Sequence, residues 1–204
     1  MADRPKSSGR RPGATRTRGE ILGAAQAAFG EYGYIGTSIR QVARAAGVDP
    51  ALVLHFFTSK DQLFAEALRA DAPTDRVLEL ADDGDVAELG ERLVRRYLQL
   101  WEDSETSGRM LAVVRAASAS ESASRMVASF MSEDVMMPLA QKIGSSDAPL
   151  RANLTGAHLF GVATARYVLR VEPLASLGQE AVVRLVGPTV QHYLAGELDT
   201  TERP

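Results

Sequence analysis

Between Ser38 and Ser59 the chain signals the start of a helix three times. Ser38 stands three residues before Gln41, and Ser59 three before Gln62. This is the spacing of a capping box, in which each side chain satisfies a backbone N–H left free at a helix start. Between them Asp49 is a good N-cap, and Pro50 takes the first helical position, where a missing N–H costs nothing. Helices over 39–46, 50–56 and 60–70 are therefore expected. Helices this short cannot bury a face alone and must cross their neighbours. A longer one precedes them. Thr17 and Glu20 repeat the capping spacing, Ile21, Leu22, Ala25, Ala28, Phe29 and Tyr32 recur on one face, and Gly33 suits a stop.

Two short helices that cross steeply need a small residue at the crossing, a turn residue that tolerates positive φ, and a β-branched residue packing back. Ala43, Gly47 and Val53 supply them in that order. Val42, Ala46, Val48 and Phe56 fall at further core positions. This is the helix-turn-helix pattern, with 50–56 as the helix presented to a DNA groove.

The rest of the chain is a run of apolar-periodic stretches over about 75–81, 86–102, 107–120, 122–143, 149–171 and 178–196, parted by breaks such as Gly144 to Pro149 and Glu172-Pro173. Pro188 is expected to bend the last one near Gly187. No sustained period-2 alternation marks a strand. The expected fold is all-α with about ten helices: an N-terminal three-helix helix-turn-helix domain and a helical C-terminal body. The expected division is a disordered basic arm over 1–15, a DNA-binding domain over 16–71, and a ligand-binding and dimerisation domain over 72–204.

Charge separates the parts in the same way. Residues 1–60 carry nine Lys and Arg against four acids, while the remainder carries fourteen against twenty-two. A basic head on an acidic body suits an anionic partner at the head, although a basic tail also serves as plain solvation. There are no cysteines, so thiolate chemistry and Cys-based zinc sites are excluded. No apolar stretch approaches the roughly 20 residues of a bilayer span, and the N-terminus lacks the apolar core of a secretory signal. A cytoplasmic, nucleoid-associated protein without membrane contact is expected.

On these residues a family resemblance follows. Residues 17–68 resemble the DNA-binding domain of TetR-type regulators. The match includes Phe29 to Gly33, Thr37-Ser38, Ala43, Gly47-Val48, Phe57 and Ser59-Lys60. Arg166-Tyr167-Val168-Leu169 followed by Glu172-Pro173-Leu174 is similar to one subgroup of that family's C-terminal domains. The resemblance implies a homodimeric, ligand-responsive regulator of operator DNA, a repressor rather than an activator by family analogy. It also implies that Lys60 contacts a phosphate. One position departs: Leu54 stands where the family usually has a phosphate-contacting Tyr, and His55 is the neighbouring candidate.

Thr37 and Ser38 can offer hydroxyls and helix-start N–H groups to a phosphate, with Arg40 one turn on. Base readout falls to Asp49, Ala51, Leu54 and His55, joined by Arg44; Ala51 and Leu54 suit thymine methyls. Arg16 and Arg18, with Arg10 and Arg11 of the arm, either enter a minor groove or attract phosphate diffusely.

In the body, 149–171 is apolar on more than one face, 178–196 carries Val182, Val183, Leu185, Val186, Val190, Tyr193 and Leu194, and small residues (Gly156, Ala157, Gly161, Gly187) allow close helix approach. Two such helices from each subunit would make a four-helix homodimer seam, as in the family. Tyr97, Trp101, Met110, Met126 and Phe130 are large, adaptable side chains that line either a core or a ligand pocket, and Arg115, Asn153, His158 and Arg166 are polar groups that either orient a ligand, make interhelical hydrogen bonds or face water. Neither the effector nor the operator sequence is legible. The rival readings are a helical enzyme and a scaffold protein. The three histidines, His55, His158 and His192, are too scattered for a triad or a metal site, and no phosphate-binding glycine loop occurs. No catalytic residue, metal or cofactor is expected. A scaffold leaves the basic head and the 43/47/53 spacing unexplained.

Overall fold

The computed structural model describes residues 12–70 and 74–198, and all regular structure among them is helical. The chain divides into two compact units at the Ala70–Asp71 link.

In the first unit, α1 (Pro12–Gly36) starts five residues before Thr17. Glu20 is drawn to Arg16 (2.9 Å) as an i,i+4 pair, which supports the extra turn. The helix breaks at Gly33, whose φ of 70° and ψ of 176° are non-helical. A Cβ there would meet nothing, so the demand for glycine is conformational rather than steric. Then come α2 (Ile39–Ala45), α3 (Pro50–Phe57) and α4 (Lys60–Ala70). The caps expected for these three form, whereas Thr17 lies inside α1 rather than at its start. Ser38 and Gln41 make the reciprocal box, Asp49 accepts from the Ala51 N–H (2.8 Å), and Ser59 accepts from the Gln62 N–H (3.0 Å). Gly47 turns the chain at φ 66°. Val42, Ala43 and Val53 are fully buried where α2 and α3 cross. α3 runs one residue further than expected, so Phe57 fills the core while Phe56 is only half-buried. Phe29, Tyr34 and Phe64 pack edge and face at 4.9–6.3 Å to tie α1 to α4.

In the second unit, α5 (Thr74–Glu79) and a 3-10 turn (Val86–Glu88) lead into α6 (Leu89–Glu102), followed by α7 (Ser107–Ala117). α8 (Glu121–Ser129), a π turn (Phe130–Met136) and α9 (Met137–Lys142) form one unbroken rod. Pro138 has no N–H for the Asp134 carbonyl one turn back, and the Thr74 hydroxyl donates to that carbonyl instead (2.9 Å). α10 (Ala148–Ala163) ends in a second π turn (Thr164–Val168), three residues short of the expected 171. α11 (Gln179–Ala195) continues helically through Pro188, whose ring is exposed.

The core is set by α6 against α11. Leu93, Leu98, Leu139, Leu159, Val182, Val190 and Leu194 are buried there. At one crossing the backbones nearly touch: a Cβ on Gly90 would fall 2.5 Å from the Gly187 carbonyl. The Gln191 side chain accepts from the Gly90 N–H (2.7 Å) and donates to the Val86 carbonyl (3.0 Å), capping the start of α6 from outside. Arg151, 6% exposed, donates to the carbonyls of Ser146, Tyr193 and Gly196 at 2.7–2.9 Å and so closes the C-terminal end of α11.

Candidate nucleic-acid interface and effector cluster

Capping and crossing fix which face of α3 looks outward. With Val53 and Phe57 turned in, Ala51, Leu54 and His55 are exposed, Leu54 by 44%. His55 sits edge-on to Phe56 at 5.6 Å. Arg40 and Arg44 of α2 are exposed as well, and Asp49 is exposed but holds the α3 cap.

Five further expected contact residues are engaged within the unit. Thr37 is 2% exposed, and its single hydroxyl proton is shared between the Gly33 (2.8 Å) and Ala28 (3.0 Å) carbonyls. It is therefore a structural clamp on the α1–α2 turn rather than a phosphate donor. Both the N–H and the hydroxyl of Ser38 are directed to Gln41. Arg18 pairs with Glu66 and lies 5.0 Å over the Phe57 ring, and the exposed Arg16 pairs with Glu20. Arg10 and Arg11 lie outside the described residues. Lys60 rests its ammonium 4.4 Å over the Tyr34 ring and 3.5 Å from the Ile35 carbonyl. Desolvation there pulls its pKa below the usual lysine value, against the raising influence of Asp61.

In the second unit, Tyr97, Trp101 and Met110 come together in one cluster with Phe160 and Tyr167. The Trp101 and Tyr167 rings stack at 5.1 Å with 4° between their planes. The Tyr167 hydroxyl donates to Glu102 (2.8 Å), and the buried Arg166 lies 3.7 Å from the same carboxylate and 5.2 Å over the Tyr167 ring. Burial pushes Tyr97 up to about 12, with the Trp101 indole opposing, and burial does the same for Tyr167. The indole N–H faces the Tyr97 hydroxyl without completing a hydrogen bond. An uncompensated buried donor costs about 1–3 kcal/mol. The other candidates lie apart from this cluster. Phe130 packs into the α6–α11 core, Arg115 is exposed on α7, Met126 is half-buried on α8, and His158 meets Tyr193 of α11 edge-on at 5.7 Å. Among the described residues no group of three His, Cys, Asp or Glu is placed to hold a metal, and no helix is long and apolar enough to cross a membrane.

Comparison with known proteins adds a decisive observation. The profile of the tetracyclin repressor-like C-terminal domain matches residues 87–194, more than half of the chain, and that of the bacterial regulatory proteins of the tetR family matches 21–67. The chain belongs to the TetR family. This TetR-family chain is 36% identical to a TetR-family regulator from Streptomyces coelicolor A3, with a TM-score of 0.63 over 92% of this chain and 99% of that one. NalD of Pseudomonas aeruginosa, the secondary repressor of the MexAB-OprM efflux pump, shares the fold at 20% identity, with a TM-score of 0.60 over 89% and 97% of the two chains. The HTH-type transcriptional repressor AcnR of Corynebacterium glutamicum is 33% identical over 75 residues, which are 37% of this chain and 39% of AcnR. The chain thus spans about two fifths of that curated relative's length.

Sequence reasoning singled out Arg166 as a polar group able to orient a ligand but passed over Phe160 and Tyr167 as partners of Trp101. The i,i+4 spacing of Tyr97 and Trp101 places those two on one face of α6, but nothing local links them to the π turn after α10.

Proposed function

We propose that this protein is a homodimeric, ligand-responsive repressor that binds a roughly palindromic operator through α3. The observation that carries the reading is the outward face of α3, Ala51, Leu54 and His55, held by a fully buried Val53 and Phe57 behind it. Arg40, Arg44 and Lys60 supply the phosphate contacts that fix register. Leu54 offers a methyl surface to thymine, and His55, next to it, takes over the phosphate contact that the family usually makes from the position Leu54 occupies. The repressor sign comes by analogy with AcnR and NalD. The site of action is the cytoplasmic nucleoid, and no catalytic step is assigned.

Dimerisation rests on α10 and α11. Asn153, Ala157 and Gly161 form an exposed stripe of mostly small residues on α10, and Leu185 is 67% exposed on α11 beside exposed Pro188 and His192. A second copy would cover both. Two α3 helices related by a two-fold then meet half-sites about one DNA turn or somewhat more apart. An effector in the body shifts the spacing of the two heads and releases the operator; a coupling of about 1–3 kcal/mol suffices.

The experiment is salt-dependent binding to the promoter DNA beside the protein's own gene, with molar mass measured by light scattering. A dimer that prefers that fragment over random duplex supports the reading. A monomer, or equal affinity for both duplexes, overturns it.

A further inference from the structure

Among the described residues four buried polar side-chain atoms have no hydrogen-bond partner, and all but the Thr155 hydroxyl are N–H donors. Two of these donors, Trp101 Nε1 and Arg166 Nε, belong to residues that pack on the Tyr167 ring. Arg166 is 8% exposed; it donates to the Leu174 carbonyl (2.5 Å) and has Glu102 only at 3.7 Å. Glu102 is itself 39% exposed in its side chain and lines a groove of about 380 Å³ with Arg76, Arg96, Gln99 and Thr106. Asp103 lines the groove too, but its carboxylate accepts from the Glu105 N–H (2.7 Å). Glu102 therefore stands between an outer groove lined by two arginines and two inner N–H groups, Trp101 Nε1 and Arg166 Nε, that complete no hydrogen bond. Those donors are packed among apolar side chains, Met110, Leu111 and Phe160.

We propose that the effector is a carboxylate on an apolar body, and that it binds by displacing Glu102 from Arg166 and Tyr167. The proposal rests on the ligand-responsive reading above and narrows it to a chemical class. Removing Glu102 leaves a buried guanidinium without a counter-ion, and only another anion restores one. A cation would face Arg166, Arg76 and Arg96 together. A neutral molecule can meet the indole N–H but leaves Arg166 uncompensated. Glu102 is thus an internal stand-in for the ligand's own carboxylate, held at a distance too long for a strong ion pair and so exchangeable.

Trp101 is the single tryptophan of the chain, so its emission reports on this site directly. The test titrates the full-length protein with phenylacetate and with its neutral counterpart 2-phenylethanol, neither of which absorbs where tryptophan is excited, and repeats both on two variants. Phenylacetate is expected to change Trp101 emission saturably, with 2-phenylethanol at least tenfold weaker. Glu102→Gln removes the internal competitor and should bind phenylacetate about fivefold tighter or more. Arg166→Gln should bind it at least tenfold more weakly. Because Arg166→Gln also loses its bond to Leu174 and can unfold, the gain in Glu102→Gln decides the matter; a merely structural Glu102 would not tighten binding when neutralised. No tightening in Glu102→Gln, equal binding of the alcohol, or silence from both probes to about 10 mM overturns the proposal. Release of own-promoter DNA by a panel of neutral compounds, run beside it, shows whether the ligand-responsive reading stands when the carboxylate class falls.

Discussion

Replacing Arg151 with methionine isolates what a single buried cation does for this fold. The guanidinium is 6% exposed and makes three charge-assisted bonds to carbonyls at 2.7–2.9 Å, two of them at the end of α11. Bonds to charged groups contribute about 1.5–3 kcal/mol each, so the three gross to roughly 4.5–9. Methionine keeps most of the buried volume, and carbonyls at a helix end recover some water, so a net loss of about 3–5 kcal/mol is expected. In a chain of this length each kcal/mol moves the melting temperature by about 2–4 °C, which places the variant some 6–20 °C below the parent. The assay is thermal unfolding by circular dichroism at one fixed protomer concentration, since an oligomer's melting point moves with concentration. Arg151→Lys keeps the charge but lacks the planar reach to three carbonyls and should fall between. A methionine variant that melts within about 2 °C of the parent would refute the reasoning, because the three contacts would then have no energetic weight.

Further outcomes follow from the DNA-binding unit and the aromatic cluster. Lys60→Ala should weaken binding equally on own-promoter and random duplex and lower the slope of log K against log salt by about one; fluorescence anisotropy across a salt series checks it. Thr37→Val should cost about 1–2 kcal/mol in urea unfolding while leaving the salt slope unchanged, since its hydroxyl serves the Gly33 and Ala28 carbonyls. Tyr97 and Tyr167 hold their protons to about 12, above the value of about 10 in an unfolded chain. The folded state therefore binds more protons in that interval, and the associated stability is intact below pH 10 and lost as pH climbs from 10 towards 12. Melting curves through that range should fall, and Tyr97→Phe should make the fall shallower.

The legible parts of this fold were those specified by near neighbours. Ser38, Asp49 and Ser59 each cap a helix within three residues of themselves, and Gly33 and Gly47 need only their own φ, so the short helices could be placed to within a residue. Long-range partners were opaque. Thr37 reads as an exposed hydroxyl until the break at Gly33 folds α1 back over it. Arg18 reads as a groove-seeking cation until α4 brings Glu66 beneath it. Arg151 is one arginine among twenty, and only the return of α11 supplies the carbonyls that bury it. The Asp134 carbonyl, which Pro138 cannot serve, likewise meets the Thr74 hydroxyl from sixty residues upstream.

The glycine pair at the α6–α11 crossing sets how a signal can travel. Gly90 and Gly187 hold two backbones so close that neither can slide, and Gln191 pins the same spot. Trp101 lies eleven residues further along α6, about 16 Å away at the rise of a helix. A relative motion of α6 and α11 that kept this contact would be a swing about Gly90 rather than a translation, and it would have to part Arg95 of α6 from Glu180 of α11 (2.8 Å). A tilt of about 5° at that hinge moves the far end of the helix by roughly 1.4 Å, enough to exchange one side chain's partners while the near end keeps step with α11.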